Sequence, residues 1–177
     1  MILKFLNAVI NLKKIPRQGW IDKLSIKKSE SVAEHTFSMA VIGMIFSDLE
    51  KYDTEKILKI ILLHDLSESI IGDITPEKIP ITQKRILEDN AMKEILGDLP
   101  ESIQNQYVHL WNEYLHNTSP EARFVHQVDK LEMALQAKYY LNQGYSKEKI
   151  NLFYNSAKNG ITDNKLLKIF DEIINHD

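Results

Sequence analysis

One stretch constrains the fold of this chain more than any other: Ile57 to Pro76, which reads I-L-K-I-I-L-L-H-D-L-S-E-S-I-I-G-D-I-T-P. Its apolar run of Ile57, Leu58, Ile60, Ile61, Leu62 and Leu63 belongs in a protein core and is too long for an ordinary strand, so the spacing predicts a buried helix. His64, Asp65 and Glu68 stand inside that run, and burying an ionisable group is costly unless it is paired or bound to a metal. On one helix Glu68 shares a face with both His64 and Asp65, so a single buried segment would present three polar groups to one site. Adjacent helical residues point about 100° apart, so a metal reached by both His64 and Asp65 lies between their directions and takes its other ligands from elsewhere.

The chain has 177 residues, 44% of them hydrophobic. That is enough for one sizeable core and predicts a single domain over 1–177. With 22 basic and 25 acidic residues the formal net charge is −3, which disfavours a nucleic-acid polymer as partner. There is no cysteine, so disulfides and thiolate sites are excluded and any metal is held by His and carboxylates. The apolar segment Met1 to Ile10 is interrupted by Lys4 and Asn7 and is followed by no small-residue cleavage site, which argues against a signal peptide. No run is long enough to span a bilayer, so the expectation is a cytoplasmic protein with no membrane partner.

Ile2, Leu3, Leu6, Val9 and Ile10 follow helical spacing, and that helix ends near Leu12, ahead of Pro16. Lys13 to Glu30 reads as a positive loop. Lys27 and Lys28 in it read as solvated surface, but Arg17 and Trp20 differ, because a large aromatic beside a bidentate cation can cover and clamp an anionic ligand. Ser31-Val-Ala-Glu34 is a capping box that opens a long apolar helix through Leu49. His35 falls in its first turn, where a lone His is more often a hydrogen-bonded structural residue than a ligand. Asp53 and Thr54 cap the central helix and Gly72 ends it in G-D-I-T-P, where Asp73 also has an ordinary turn reading. Helices follow from Thr82 to Leu96 and from Pro100 through Tyr114. Ser119-Pro120-Glu121 starts another, closed by Gly144. Within it Asp129 shares a stripe with Val125 and Met133 and needs a cation or donors, and His126 reads as its neighbour or as an outer-shell group. Helices from Ser146 and Thr162 complete an all-α chain.

His35, His64, Asp65 and Asp129 are of types that bind divalent metal. Their order and context resemble the HD-domain metal-dependent phosphohydrolases. The dipeptide alone means little, since a second one, His176-Asp177, has no such companions. S-V-A-E-H around His35, H-D-L-S-E around His64, G-D-I-T-P around Asp73 and V-D-K-L-E around Asp129 look like the 5′-deoxynucleotidase branch, as do P-R-Q-G-W and A-M-K-E-I-L. The resemblance covers most of the chain and implies a compact multi-helix HD bundle, with His35, His64, Asp65 and Asp129 as ligands of one metal. It also implies Glu68 and Asp73 as catalytic, and Arg17, Trp20, Thr75 and Pro76 as substrate contacts. Some relatives hold a second cation at the positions of Glu68, Asp73 and the backbone of Ile74. Other members place the arginine and tryptophan side by side, whereas here Gln18 and Gly19 separate Arg17 from Trp20.

The implied reaction hydrolyses a small-molecule substrate, a deoxyribonucleoside 5′-monophosphate, to deoxyribonucleoside and phosphate, in a homodimer. Such chemistry requires a positioned water, neutralised phosphoryl oxygens and a proton for the leaving alkoxide. The mixed nitrogen and oxygen set suits Mn, Co, Mg, Zn, Fe or Ni, and the ligand list does not choose among them. Three other readings stay open: an HD phosphodiesterase or other nucleotide phosphohydrolase, a non-catalytic HD domain that binds metal or nucleotide, and a structural helical protein whose acids pair internally. A non-catalytic domain is expected to lack some of the polar set, and this chain has all of it.

Overall fold

Apolar residues at helical spacing, closed by capping side chains, wind the chain into helices along most of its length. The computed structural model describes residues 2–175, and the second His-Asp pair, His176-Asp177, lies outside them. α1 (Ile2–Asn11) runs into one 3₁₀ turn, Leu12–Lys14. α2 (Gln18–Leu24) occupies part of the segment the sequence reads as a loop. The helix forms there because its cap comes from far away: the Asp73 carboxylate accepts the Gln18 N–H at 2.7 Å, while the Arg17 side chain at the N-cap position makes no capping bond. An acceptor at the first turn satisfies an amide that has no partner within the helix.

α3 (Val32–Glu50) begins at the capping box of Ser31 and Glu34, as the sequence indicates. α4 (Thr54–Leu63) begins with the Asp53 carboxylate accepting the Lys56 N–H. The central stretch then departs from expectation, because it is not one helix. α4 stops at Leu63, residues 64–67 form turns, and α5 (Glu68–Ile71) is a separate short helix. The His64 side chain explains the break: its Nδ1–H donates to the Ile61 carbonyl at 2.6 Å, the acceptor that a continuing helix would give to the Asp65 amide. The next backbone bonds reach back three residues, from Leu66 to Leu63 and from Glu68 to Asp65, so the chain tightens at the point where His64 and Asp65 leave it.

The remaining helices are α6 (Ile81–Gly97), α7 (Glu101–His116), α8 (Pro120–Asn142), α9 (Lys147–Gly160) and α10 (Asn164–Asn175). The Ser119 side chain caps α8 by accepting the Ala122 N–H. α8 is the hub and packs against α3, α4, α7, α9 and α10, burying Met39, Ile57, Ile61, Phe124, Leu131 and Phe170 in one apolar cluster. Among the described residues there is no strand, only an isolated antiparallel bridge between Pro16 and Ser31. Around it the Arg17 N–H donates to the Glu30 carbonyl and the Val32 N–H to the Ile15 carbonyl, each at 2.9 Å. That pair of bonds fixes Arg17 beside the start of α3 and hence beside His35.

Candidate metal centre

Three elements converge on one point: the first turn of α3 with His35, the turn after α4 with His64 and Asp65, and the middle of α8 with Asp129. His35, His64 and Asp129 offer ligand atoms that all lie within 4.8 Å of one another. Asp65 faces the same point, its Oδ2 3.0 Å from His64 Nε2 and 3.9 Å from His35 Nε2. Both imidazoles are oriented from behind. The His35 Nδ1–H donates to Glu132 at 2.6 Å and the His64 Nδ1–H to the Ile61 carbonyl, so each ring turns Nε2 inward.

Those two Nε2 atoms are buried and have no hydrogen-bond partner, although the Asp129 Oδ1 stands 3.3 Å from the one on His35. Ring nitrogens and carboxylate oxygens gathered around a shared point are what a cation site looks like, and the donor set fits a divalent ion. The electrostatics agree. Burial and the Arg17 charge push the His35 imidazole down, yet its contacts with Asp129 and Glu132 outweigh them and raise it to about 9: the acids around it call for a positive charge there. Burial pushes the Asp65 and Asp129 carboxyls up, but the charge of His64 on the first, of Lys130 and His35 on the second, and of Arg17 on both hold them below the usual carboxylate range. Glu68 behaves differently. Burial and the charges of Asp65 and Asp73 raise it well above its ordinary value, and its Oε2 has no partner.

Around this point lies a cavity of about 550 Å³, lined among others by Asp65, Glu68, Asp73, Ile74, Thr75 and Pro76. It is of a size suited to a small-molecule ligand. His35 is fully buried behind it. Arg17 donates to Asp65 Oδ2 at 3.1 Å and stands 3.8 Å from Asp129 Oδ1. Burial pushes its guanidinium down, but Asp65, Asp73, Asp129 and Glu68 outweigh that and hold it raised. Arg17, extended at the N-cap of α2, and Trp20, in the helix's first turn, both reach the cavity wall. The indole is almost wholly buried: it stacks on Phe153 with ring centroids 3.9 Å apart and its Nε1–H donates to Glu30 at 2.8 Å. Thr75 is buried and its hydroxyl donates to Asp22 at 3.5 Å. With the Asp73 bond to Gln18, it straps the G-D-I-T-P turn to α2.

One residue changes its reading and one is new. His126 is no partner of Asp129: its Nε2–H donates to the Tyr114 carbonyl at 3.0 Å, and its ring stacks on Tyr114. Glu132 escaped the sequence reading although it closes the V-D-K-L-E motif, and its position three residues after Asp129 on one helix was the available signal. Glu68, Asp73 and Ile74 line the cavity together, and a second group of possible ligands, Glu30, His35 and Glu132, lies behind the first.

A family model described as HD domain matches residues 9–170. The human protein named 5′-deoxynucleotidase HDDC2 is 35% identical over 173 residues, covering 97% of this chain and 84% of its own. The Schizosaccharomyces pombe protein named 5′-deoxynucleotidase hdd1 is 39% identical, covering 76% of this chain and 70% of its own. A crystal structure from Pyrococcus horikoshii superposes with a TM-score of 0.79 at 34% identity, over 98% of both chains. With the HD pair in its turn and the outlying His and Asp converging on it, this chain belongs to the HD-domain family.

Proposed function

We propose that this protein is a metal-dependent 5′-deoxynucleotidase that hydrolyses deoxyribonucleoside 5′-monophosphates to deoxyribonucleoside and phosphate. The observation that carries the reading is the pair of buried, unbonded Nε2 atoms of His35 and His64 facing Asp65 and Asp129 at the floor of a nucleotide-sized cavity; the names of the relatives support it. His35, His64, Asp65 and Asp129 hold a divalent ion, which when bound supplies an acidified water and neutralises phosphoryl oxygens. Glu68, buried beside the ligands with one oxygen free of any protein partner, orients the attacking water or holds the proton destined for the leaving 5′-oxygen. Asp73 shares that acid-base work while anchoring α2.

Arg17 orients the phosphate, since a guanidinium bonds two oxygens at once. Trp20, with Thr75 and Pro76, walls the sugar, and a close apolar wall disfavours an added 2′-hydroxyl by at most about a hundredfold. The protein acts as a homodimer, for which the support is its unburied apolar residues: Phe37, Val41, Ile45 and Leu49 recur every fourth position on α3, and Ile2, Leu3, Leu6, Val9 and Ile10 lie open on α1.

The test is phosphate release from matched deoxy- and ribonucleoside 5′-monophosphates. Wild type should favour the deoxy substrates, and Trp20→Ala should shrink that preference. An unchanged ratio with both activities lowered would make Trp20 scaffolding for α2.

A further inference from the structure

Lys84 is a half-buried cation of the cavity wall to which the chemistry above gives no task. α6 packs against α5, the helix that begins at Glu68, and brings Lys84 and Glu88 to the cavity wall. The Lys84 side chain is 17% exposed and its ion-pair partner is Glu88, at 3.5 Å. That contact is long beside the roughly 2.7–2.9 Å of a charge-assisted hydrogen bond, and Lys placed before Glu on a helix is the weaker of the two orders. The other buried or half-buried cations of the cavity are held more closely: Arg17 donates to Asp65 at 3.1 Å, Lys130 to Asp129 at 3.0 Å, and Lys23 pairs with Glu77 at 3.1 Å. Burial pushes the Lys84 ammonium down, but Glu88, Glu68, Asp65 and Asp73 outweigh it and keep the charge in place.

A phosphate monoester brings about two negative charges at neutral pH. It enters a cavity lined by Asp65, Glu68, Asp73, Glu88 and Asp129, in which Arg17, the residue that orients the phosphate, already shares its charge with two of those acids. A further cation that can leave its partner is what such a ligand needs. We infer that Lys84 is a phosphate-binding residue: as substrate enters, its ammonium exchanges the loose contact with Glu88 for a non-bridging oxygen of the 5′-phosphate, and Glu88 holds the ammonium between turnovers. The inference deepens the phosphomonoesterase reading and rests on it for the identity of the anion.

The experiment is a calorimetric titration of inorganic phosphate into manganese-loaded protein, run beside steady-state phosphate release from a deoxyribonucleoside 5′-monophosphate. Lys84→Met should weaken phosphate binding and raise KM by roughly tenfold to a hundredfold, the range for losing one charge-assisted bond, with the metal content per chain unchanged. Lys84→Arg should restore most of the loss. Glu88→Gln should act in the opposite direction and tighten phosphate, because it removes the competitor for the ammonium. If Lys84 and Glu88 are a structural ion pair, both variants change stability alike and leave the phosphate Kd at the wild-type value, which overturns the proposal, as does a wild type that binds no phosphate. Should Lys84→Met fail to fold, Glu88→Gln decides alone: tighter phosphate supports the assignment, and unchanged or weaker phosphate sinks it. Phosphate binding that depends on Lys84 in a protein that releases no phosphate from any nucleotide would leave the Lys84 assignment standing and refute the reaction.

Discussion

A histidine becomes a metal ligand when something else in the fold decides which of its nitrogens faces the site. For His35, proposed here as a ligand, that is Glu132, buried and 2.6 Å from Nδ1; for His64, proposed with it, it is the Ile61 carbonyl. The two solutions differ in what mutation can reach, since a backbone acceptor cannot be removed and a carboxylate can. Glu132→Gln keeps the shape of the side chain and discards its charge, so it should lower metal affinity by about tenfold to a hundredfold, as measured by competition with a chelator. An affinity equal to wild type would mean that packing alone aims the His35 ring. Lys130 beside Asp129 at 3.0 Å and Arg17 beside Asp65 at 3.1 Å are the counterparts on the carboxylate side.

At the scale of the elements, α3 and α4 must approach closely to bring His35 near the turn that carries His64 and Asp65. Gly43 allows it: a Cβ there would stand 2.3 Å from the Cδ1 of Ile61, whose side chain is fully buried. Gly43→Ala should therefore destabilise the protein by about 1–3 kcal/mol through overpacking, and adding Ile61→Val, which removes that methyl, should recover part of the loss. Additive losses in the double variant would show that the two positions do not compete for space. Much of this arrangement was legible beforehand. The capping box at Ser31, the Ser119 cap with Pro120 behind it, and the apolar periods of α3 and α8 are local signals, and they put His35 and Asp129 on the elements that carry them. Most of what the sequence could not show came from distant partners. α2 exists because Asp73 caps it across the fold, so Pro16 and Gly19 read as loop when taken alone. The break between α4 and α5 depends on a side chain of α4's own end competing for a carbonyl, which periodicity cannot register. The approach at Gly43 is likewise set by two segments that do not know of each other in sequence.

At the scale of the whole molecule, the fold gathers most apolar residues around α8 but leaves the row Phe37, Val41, Ile45 and Leu49 on α3 uncovered. A second copy of the chain is the occupant proposed for it, and Phe37→Glu should convert a dimer to a monomer in sedimentation, whereas a wild type that sediments as a monomer would leave that face without a role. The buried His and Asp constellation is likewise held together by the fold as a whole, since its members come from α3, the α4–α5 turn and α8. The most direct measurement strips the protein with chelator and then adds divalent metal in small steps while following phosphate release from a deoxyribonucleoside 5′-monophosphate. Release should be absent without metal, rise with each addition and level off near one ion per chain, while His35→Ala and Asp129→Ala stay flat throughout. Phosphate release that ignores added metal, or that persists in a folded His35→Ala or Asp129→Ala protein, would contradict a metal-centred phosphomonoesterase built on these residues.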